Sequence, residues 1–463
     1  MSNVATSRTV VSAVAGLLLV LCSCSDETAG QHADRGAAGQ SIGGASTASA
    51  GGSGNGGTPG PSIAGAGSGG VGPAGSGGTV GSGGSSATAG GGGSPGGRDG
   101  GQAQGGIGGD PPAGSGGGGS RGSTNTGGGA GASSSNCDAA SPTLDPALLA
   151  RCTGTATVEC LLGGGAGHYD VTLLLGGPSA SSTVATAEAR RFLLAETPVP
   201  AQGSTCVSFT VNVRIPEGQP IQAVSRGTDG LNLRLAGSAP ALRGLGVAIA
   251  QNPVVLYLAG DSTVCDQDPQ LELAASERYT GWGQLLPQSF RRGISVTNYA
   301  DSGEGTAAFR TDGGSLWARI QSGLKRGDFV FIQLGHNDKT TPAATYRSRI
   351  LGMITATKNA GATPVLVSPM VRNDGNPLAQ QHIYGDLNVR QELLSLATSQ
   401  NVAFIDLMAS SSAWIASIGR TAARDYFVTG DSTHSNERGA KIFADFVVAG
   451  IRSANVPIQS FLR

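Results

Sequence analysis

Charge is scarce in this chain. Of 463 residues, Lys and Arg number 30 and Asp and Glu 31, together 13%, for a formal net charge of -1. A balance this thin and even supplies no basic stripe for phosphate, so nucleic acid is excluded as a partner. Aromatic residues are 5% of the whole, and residues 25–136 contain no Phe, Tyr or Trp. That stretch cannot bury enough apolar surface to offset the entropy of ordering it. It holds 44 of the 78 glycines and reads as a disordered Gly/Ser-rich linker whose ends lie about 60 Å apart on average. No CxxC pair or His/Cys cluster has metal-ligand spacing, so zinc is not indicated.

What stands before the linker is an export signal. Arg8 supplies the positive start, residues 10–21 a mostly apolar core, and Leu21, Cys22, Ser23 and Cys24 a small-residue junction. The core is too short to span a bilayer, which needs about 20 residues. The junction resembles a bacterial lipobox, in which the cysteine at the cleavage point is lipidated. Cys24 takes that position, and Cys22 is less well placed. The expected organisation is a lipoprotein signal at 1–24, the linker at 25–136, a β-sandwich accessory module at 137–250 and a catalytic domain at 251–463. Such a protein is exported, held at the outer membrane or cell surface through an N-terminal lipid anchor (otherwise secreted), and monomeric.

Export permits disulfides. Cys137, Cys152, Cys160 and Cys206 could form two bridges in three ways, and Cys265 is left over as a structural cysteine. In the same segment the apolar period is two. Val207, Phe209, Val211, Val213 and Ile215 alternate with Ser208, Thr210, Asn212 and Arg214, the pattern of a strand with one face buried and one in water. Leu231, Leu233 and Leu235 repeat it, as do Tyr169, Val171 and Leu173. Turn residues separate the runs at Gly176-Gly177, Pro216-Glu217-Gly218 and Asp229-Gly230. Several short alternating strands imply a small antiparallel sandwich. It reads as a spacer or packing domain, with carbohydrate binding or a direct contribution to the active site as the alternatives, although no aromatic platform is visible in it.

From residue 254 the pattern changes again. Residues 254–262, VVLYLAGDS, are an apolar run that stops at Gly260 and delivers Asp261 and Ser262. Such a run reads as a buried parallel strand, and functional groups in open parallel sheets sit just beyond the carboxyl ends of strands. Further β-rich runs follow at 294–299, 328–334, 364–368 and 402–407, with candidate helices at 281–290, 315–324, 343–359 and 387–399. Ile350, Met353 and Ile354 give the third of these an inward stripe, and Gly361 stands where a C-cap glycine should. Ile442, Phe443, Phe446, Val447 and Ile451 give a last helix its own. Five strands interleaved with helices imply an α/β domain with a doubly wound parallel five-stranded sheet.

The strand ends converge on one chemistry. Ser262 would attack a carbonyl carbon, with His434 as general base and then acid. Asp431, three residues earlier, would hold the imidazole in one tautomer and stabilise its cation. The N–H groups of Ser262 and Gly303 and the side-chain amide of Asn337 would donate to the developing oxyanion. Each has a plainer alternative: Ser262 a turn residue, His434 an exposed histidine, Asn337 a helix cap, Gly303 a turn. His336 reads as structural and Asp338 as a cap or support. The GxSxG pattern at Ser94 and Ser120 lies in the linker with no strand before it, a chance match.

GDST, NYADSG, GHND and DSTH, in this order across residues 260–434, resemble the four blocks of the SGNH (GDSL-like) hydrolases. GDST with GHND is most similar to the rhamnogalacturonan acetylesterase branch. The resemblance spans residues 254 to about 452 and implies a flavodoxin-like sheet and no cofactor. It places the nucleophile on Ser262, the oxyanion groups on Gly303 and Asn337, and the acid and base on Asp431 and His434. It also implies an acetylated polysaccharide as substrate, rhamnogalacturonan first. The alternatives are an esterase for xylan, lipid or surface glycan, or an inactive polysaccharide-binding lipoprotein. Glu304-Gly305 stands where that branch usually has Arg-Ser, and a carboxylate facing the cleft would disfavour an acidic sugar.

Overall fold

The computed structural model describes residues 137–188, 190–215, 218, 230–311 and 315–463. The signal, Cys24 and the 25–136 stretch lie outside the described residues. Eight strands occupy the first part: β1 (Cys152–Thr153), β2 (Val158–Gly163), β3 (Gly167–Gly176), β4 (Ser181–Ala187), β5 (Arg191–Val199), β6 (Ser204–Val213), β7 (Leu231–Ala239) and β8 (Leu242–Ile249). They pair antiparallel in two sheets, ordered β1-β2-β7-β4-β5 and β6-β3-β8. The period-two residues explain why the sheets stack. Val171, Leu173 and Leu175 of β3 and Phe209, Val211 and Val213 of β6 share one buried core with Leu231, Leu233 and Leu235 of β7. The cysteines pair as Cys137–Cys206 and Cys152–Cys160. The second bridge joins residues directly opposite each other on β1 and β2. Cys265 is free and buried, and burial raises its thiol pKa well above the usual range.

The rest of the chain supplies β9 (Val254–Gly260), β10 (Ile294–Asn298), β11 (Phe329–Gln333), β12 (Thr363–Val367), the short antiparallel pair β13 (Ile383–Tyr384) and β14 (Leu387–Asn388), and β15 (Ala403–Ile405). Five of them form a parallel sheet in the order β10-β9-β11-β12-β15. Counted within the sheet this is 2-1-3-4-5, the flavodoxin-like doubly wound order. The apolar run of β9 is continuous because both faces are covered. Leu256 and Leu258 enter one core with the helices Leu407–Ile418 and Glu437–Ser453. Val255, Tyr257 and Ala259 enter another with the helices Ala343–Asn359 and Val389–Gln400.

Local chemistry moves some boundaries. The helix expected at 281–290 is α-helical only over Trp282–Leu285 and tightens to a 3-10 turn over Leu286–Ser289. Pro287 cannot continue an i to i−4 ladder. The helix expected at 387–399 starts later, at Val389, because Asn388 caps it by accepting from the Gln391 N–H, and Leu387 is in β14. Gly361 follows the helix Ala343–Asn359 at φ +74°, the left-handed position glycine favours. The last helix buries Phe443, Val447 and Ile451 with Ala440, Ala444 and Val448, whereas Ile442 and Phe446 sit at the edge of that stripe.

The polar face of β6 overturns an expectation. Thr210, Asn212 and Arg214 are not in water but buried, because this face packs on the parallel-sheet layer. Thr210 Oγ1 accepts from the Gly293 N–H at 2.9 Å, and Arg292 pairs with Asp170 of β3 at 3.2 Å. At the centre lies a buried charge cluster. Arg191 donates to Asp266 at 2.6 Å and pairs with Glu188 at 2.9 Å. Arg214 reaches the same Asp266 oxygen at 3.1 Å and also donates to the Asn298 carbonyl at the end of β10. Burial alone would raise the Asp266 pKa, yet Arg191 and Arg214 hold it below the usual range. Each charge in the cluster is tolerated only because the others are there.

Removing Asp266 should therefore strand two buried guanidinium groups. Asp266→Ala is expected to lower unfolding stability by about 3–5 kcal/mol, read from urea denaturation midpoints. A cost below about 1 kcal/mol, the range of exposed pairs, would mean the cluster is solvated.

Candidate active site

β9 ends at Gly260, where no side chain fits: a Cβ would lie 2.6 Å from Val264 Cγ2. The chain then makes a helical turn, with the N–H groups of Val264 and Cys265 donating to the Asp261 carbonyl at 2.9 and 3.1 Å. Ser262 is lifted to the rim of this turn. Asp261 Oδ1 accepts from the Thr263 N–H at 3.0 Å and the Thr263 hydroxyl at 2.8 Å. Burial raises its pKa to about 6, more than these two hydrogen bonds lower it. Two glutamines brace the turn from outside. Gln333, last in β11, donates to Thr263 Oγ1 at 2.9 Å and accepts from the Trp282 indole at 2.7 Å. Gln267 donates to the Ser262 carbonyl at 2.7 Å.

His434 and Asp431 arrive on the loop before the last helix, 172 residues from Ser262. That loop is closed by the Asp431 N–H on the Val428 carbonyl at 2.8 Å and the Val428 N–H on the His434 carbonyl at 2.9 Å. Asn436 then caps the helix by accepting from the Gly439 N–H. Asp431 Oδ1 takes the N–H groups of Thr433 and His434 at 2.6 and 3.0 Å, leaving Oδ2 for His434 Nδ1 at 2.7 Å. A carboxylate on Nδ1 selects the tautomer with hydrogen there, an assignment from the network. Nε2 is then an acceptor, 2.9 Å from Ser262 Oγ. Burial would raise the Asp431 pKa, but the bonds from His434 and Thr433 outweigh it and set it at about 2. The carboxylate is therefore charged whenever the imidazole could take a proton.

The loop after β10 faces the same turn. The Asp301 N–H donates to the Gly260 carbonyl at 3.2 Å. Gly303 adopts φ +81° with no atom within 4 Å of where a Cβ would stand, so the glycine serves the backbone conformation and the space above it is open. After β11, Asn337 is exposed, and its Nδ2 donates to the Glu304 carbonyl at 3.0 Å, tying the two loops together. Among the described residues, the N–H groups of Ser262 and Gly303 meet no protein acceptor. The Glu304 side chain is 6% exposed, so the carboxylate feared from the sequence is buried rather than displayed.

His336 and Asp338 fall outside this constellation. His336 is 2% exposed and packs edge-on against His382 at 4.5 Å. Burial drives its pKa well below the usual value, which suits a neutral packing residue. Asp338 supports the Gly303 loop by accepting from the Thr306 N–H at 3.1 Å. Tyr279 was not foreseen. Its ring stands edge-on to the His434 imidazole at 5.3 Å, and burial and the Asp431 charge raise its hydroxyl pKa. Gln267, Gln333 and Asp266 were missed as well. None lies in a recognisable block, and only the fold brings them to the turn.

A hydroxyl hydrogen-bonded to an imidazole that is hydrogen-bonded to a half-buried carboxylate, with unengaged N–H groups on Ser262 and Gly303 and an exposed Asn337 amide, can perform acyl transfer. Residues 258–442 match the GDSL-like Lipase/Acylhydrolase family. The chain is 30% identical over 230 residues to the rhamnogalacturonan acetylesterase RhgT of Bacillus subtilis, covering 46% of this chain and 95% of that one. It is 30% identical over 259 residues to the uncharacterized esterase YxiM of the same species, covering 53% of this chain and 64% of that one. The crystal structure of Bacillus subtilis YxiM aligns with 26% identity and a TM-score of 0.41, covering 65% of this chain and 81% of that one.

The depressed Asp431 pKa has a stability consequence. A carboxylate held below its unfolded value, here about 2 against 3.8, stabilises the fold fully above the unfolded value. That contribution is lost as pH falls toward 2. Asp431→Asn should therefore lose less stability than the wild type between pH 4 and pH 2.5, measured by urea unfolding at both. Equal losses would place the ionised pair elsewhere.

Proposed function

The chain belongs to the GDSL-like lipase/acylhydrolase family and is a serine ester hydrolase, and we propose that it is an exported carbohydrate esterase. On this reading it deacetylates a plant cell-wall polysaccharide, rhamnogalacturonan first, using Ser262, His434 and Asp431. The observation that carries the reading is the unbroken chain from Ser262 Oγ to His434 at 2.9 Å and from His434 to Asp431 at 2.7 Å. Similarity to RhgT over nearly its whole length supports the choice of substrate.

In the proposed cycle Ser262 Oγ attacks the acetyl carbonyl while His434 Nε2 takes its proton. The tetrahedral oxyanion is received by the N–H groups of Ser262 and Gly303 and the Asn337 amide, whose second hydrogen is aimed by the bond of the first to Glu304. His434 then protonates the departing sugar oxygen, and an acetyl group remains on Ser262. Water deprotonated by the same imidazole attacks this ester, releasing acetate and restoring the serine. Asp431 stays ionised and stabilises the imidazolium. No metal or cofactor has a part in these steps. Export is supported by the apolar signal ending at Cys24 and by two disulfides, which suit an oxidising compartment.

Acetate release from acetylated rhamnogalacturonan, acetylated xylan and p-nitrophenyl acetate tests the reading. Ser262→Ala should lower kcat by roughly 10³-fold or more on every ester hydrolysed, and undiminished turnover would remove the mechanism. Faster release from xylan than from rhamnogalacturonan would overturn the substrate. Asn337→Ala should cost roughly 10²-fold in kcat, and a loss under about threefold would take it out of the oxyanion site. Cys24→Ser should free the protein from the membrane fraction, and retention there would contradict the lipid anchor.

A further inference from the structure

A second concavity stands beside the catalytic residues, and both modules build it. It encloses about 320 Å³, the small end of ligand pockets, which run to roughly 300–1,000 Å³. The antiparallel module contributes Arg190, Phe192 and Arg234. The loop that follows the Ser262 turn contributes Arg278 and Tyr279, and the first turn of the last helix contributes Glu437. Tyr279 is a shared wall, one side lining this cavity and its ring edge-on to His434 at 5.3 Å. Glu437 lies three residues beyond His434. A polymer whose acetyl group reached Ser262 would therefore have its neighbouring unit at this opening.

The lining selects by chemistry. Two guanidinium-bearing residues, Arg234 and Arg278, line it with one carboxylate, Glu437; Arg190 is buried, and its guanidinium turns inward to donate to the Asp266 carbonyl at 3.1 Å. Arg278 donates to the carbonyls of Leu271 and Leu273, neutral partners that do not pair its charge. Arg234 pairs with Glu159 at 3.1 Å, where both are partly exposed, at 26% and 49%. Burial raises the Glu437 pKa, and the nearby Arg278 and Arg234 charges lower it in part. Two aromatic rings, Phe192 and Tyr279, supply apolar faces among these charges. An aromatic face with guanidinium groups fits a sugar ring bearing a carboxylate, because guanidinium binds carboxylate through paired, charge-assisted hydrogen bonds. A neutral sugar would shield the arginines from water without replacing that bond.

We infer that this cavity is a subsite for a uronic acid unit of the polysaccharide, formed jointly by the antiparallel module and the loop carrying Tyr279. The inference rests on the carbohydrate-esterase reading above and gives the accessory module a share in substrate selection. Its aromatic surface is shared, Phe192 coming from the module and Tyr279 from the other layer.

Binding measured without turnover separates this inference from the esterase reading. The full-length Ser262→Ala protein is titrated calorimetrically with digalacturonic acid and with a neutral galactose disaccharide. The uronate ligand should bind at least about tenfold more tightly than the neutral one, and added salt should weaken it. Adding Arg234→Gln should weaken uronate binding about tenfold, the scale of one charge-assisted bond, with circular dichroism confirming the fold. In the active enzyme, Arg234→Gln should lower the ratio of kcat/KM on acetylated rhamnogalacturonan to that on p-nitrophenyl acetate by a similar factor. Equal affinity for the two disaccharides, or no change with Arg234→Gln, overturns the subsite even if acetate release is intact. Uronate binding without acetate release from any polymer would keep the subsite and sink the esterase reading.

Discussion

Asp266 is the point on which the two layers and the site all depend. It lies four residues beyond Ser262, and its carboxylate is held by Arg191 at 2.6 Å and Arg214 at 3.1 Å, both from the antiparallel module. Asn298, ending β10, donates to its other oxygen at 2.9 Å and to the Val264 carbonyl at 2.8 Å. One buried acid therefore links the outer module, a neighbouring strand and the loop leaving the proposed nucleophile. In a low-dielectric interior such a cluster is stable only when complete. Small displacements of the module are thereby opposed where the Ser262 loop needs to be still.

The site itself is an economy of strand ends. β9 delivers Ser262, β10 leads to Gly303, β11 leads to Asn337, and these three strands are neighbours in the sheet. Adjacent parallel strands end at the same edge, so their loops meet without long excursions. The fourth contribution comes from further away in sequence, on the loop capped into the last helix. There Asp431 uses one oxygen on backbone N–H groups and the other on the imidazole. A single carboxylate thus sets the shape of its loop and the direction of His434.

The parallel sheet was legible because each buried strand carries its own signal, an apolar run ended by glycine or a polar residue. The four blocks were legible because chemistry demands particular side chains there. Helix ends were less so: Pro287 and Asn388 shift them by local bonding that periodicity does not register. The polar face of β6 was misread for a general reason. Alternation reports which residues differ from their neighbours, and a polar face buried against another layer has the same alternation as one in water. Tyr279, Gln267 and Gln333 carried no signal, since a residue that braces a turn from another element needs no fixed spacing.

The sequence by itself determined the class of the parallel-sheet layer, the candidate residues at its strand ends, the alternation of the sandwich strands and the number of bridges four cysteines could make. Those are properties of short stretches, set by side-chain period and residue type. Tertiary structure alone decided the pairing of Cys137 with Cys206 and Cys152 with Cys160, the burial of Glu304 and the seating of the antiparallel module on the Ser262 loop. It also decided the existence of an arginine-lined cavity between them. Each of these depends on distances between residues far apart in the chain, which are set only when two layers close on each other and buried charges must find their partners.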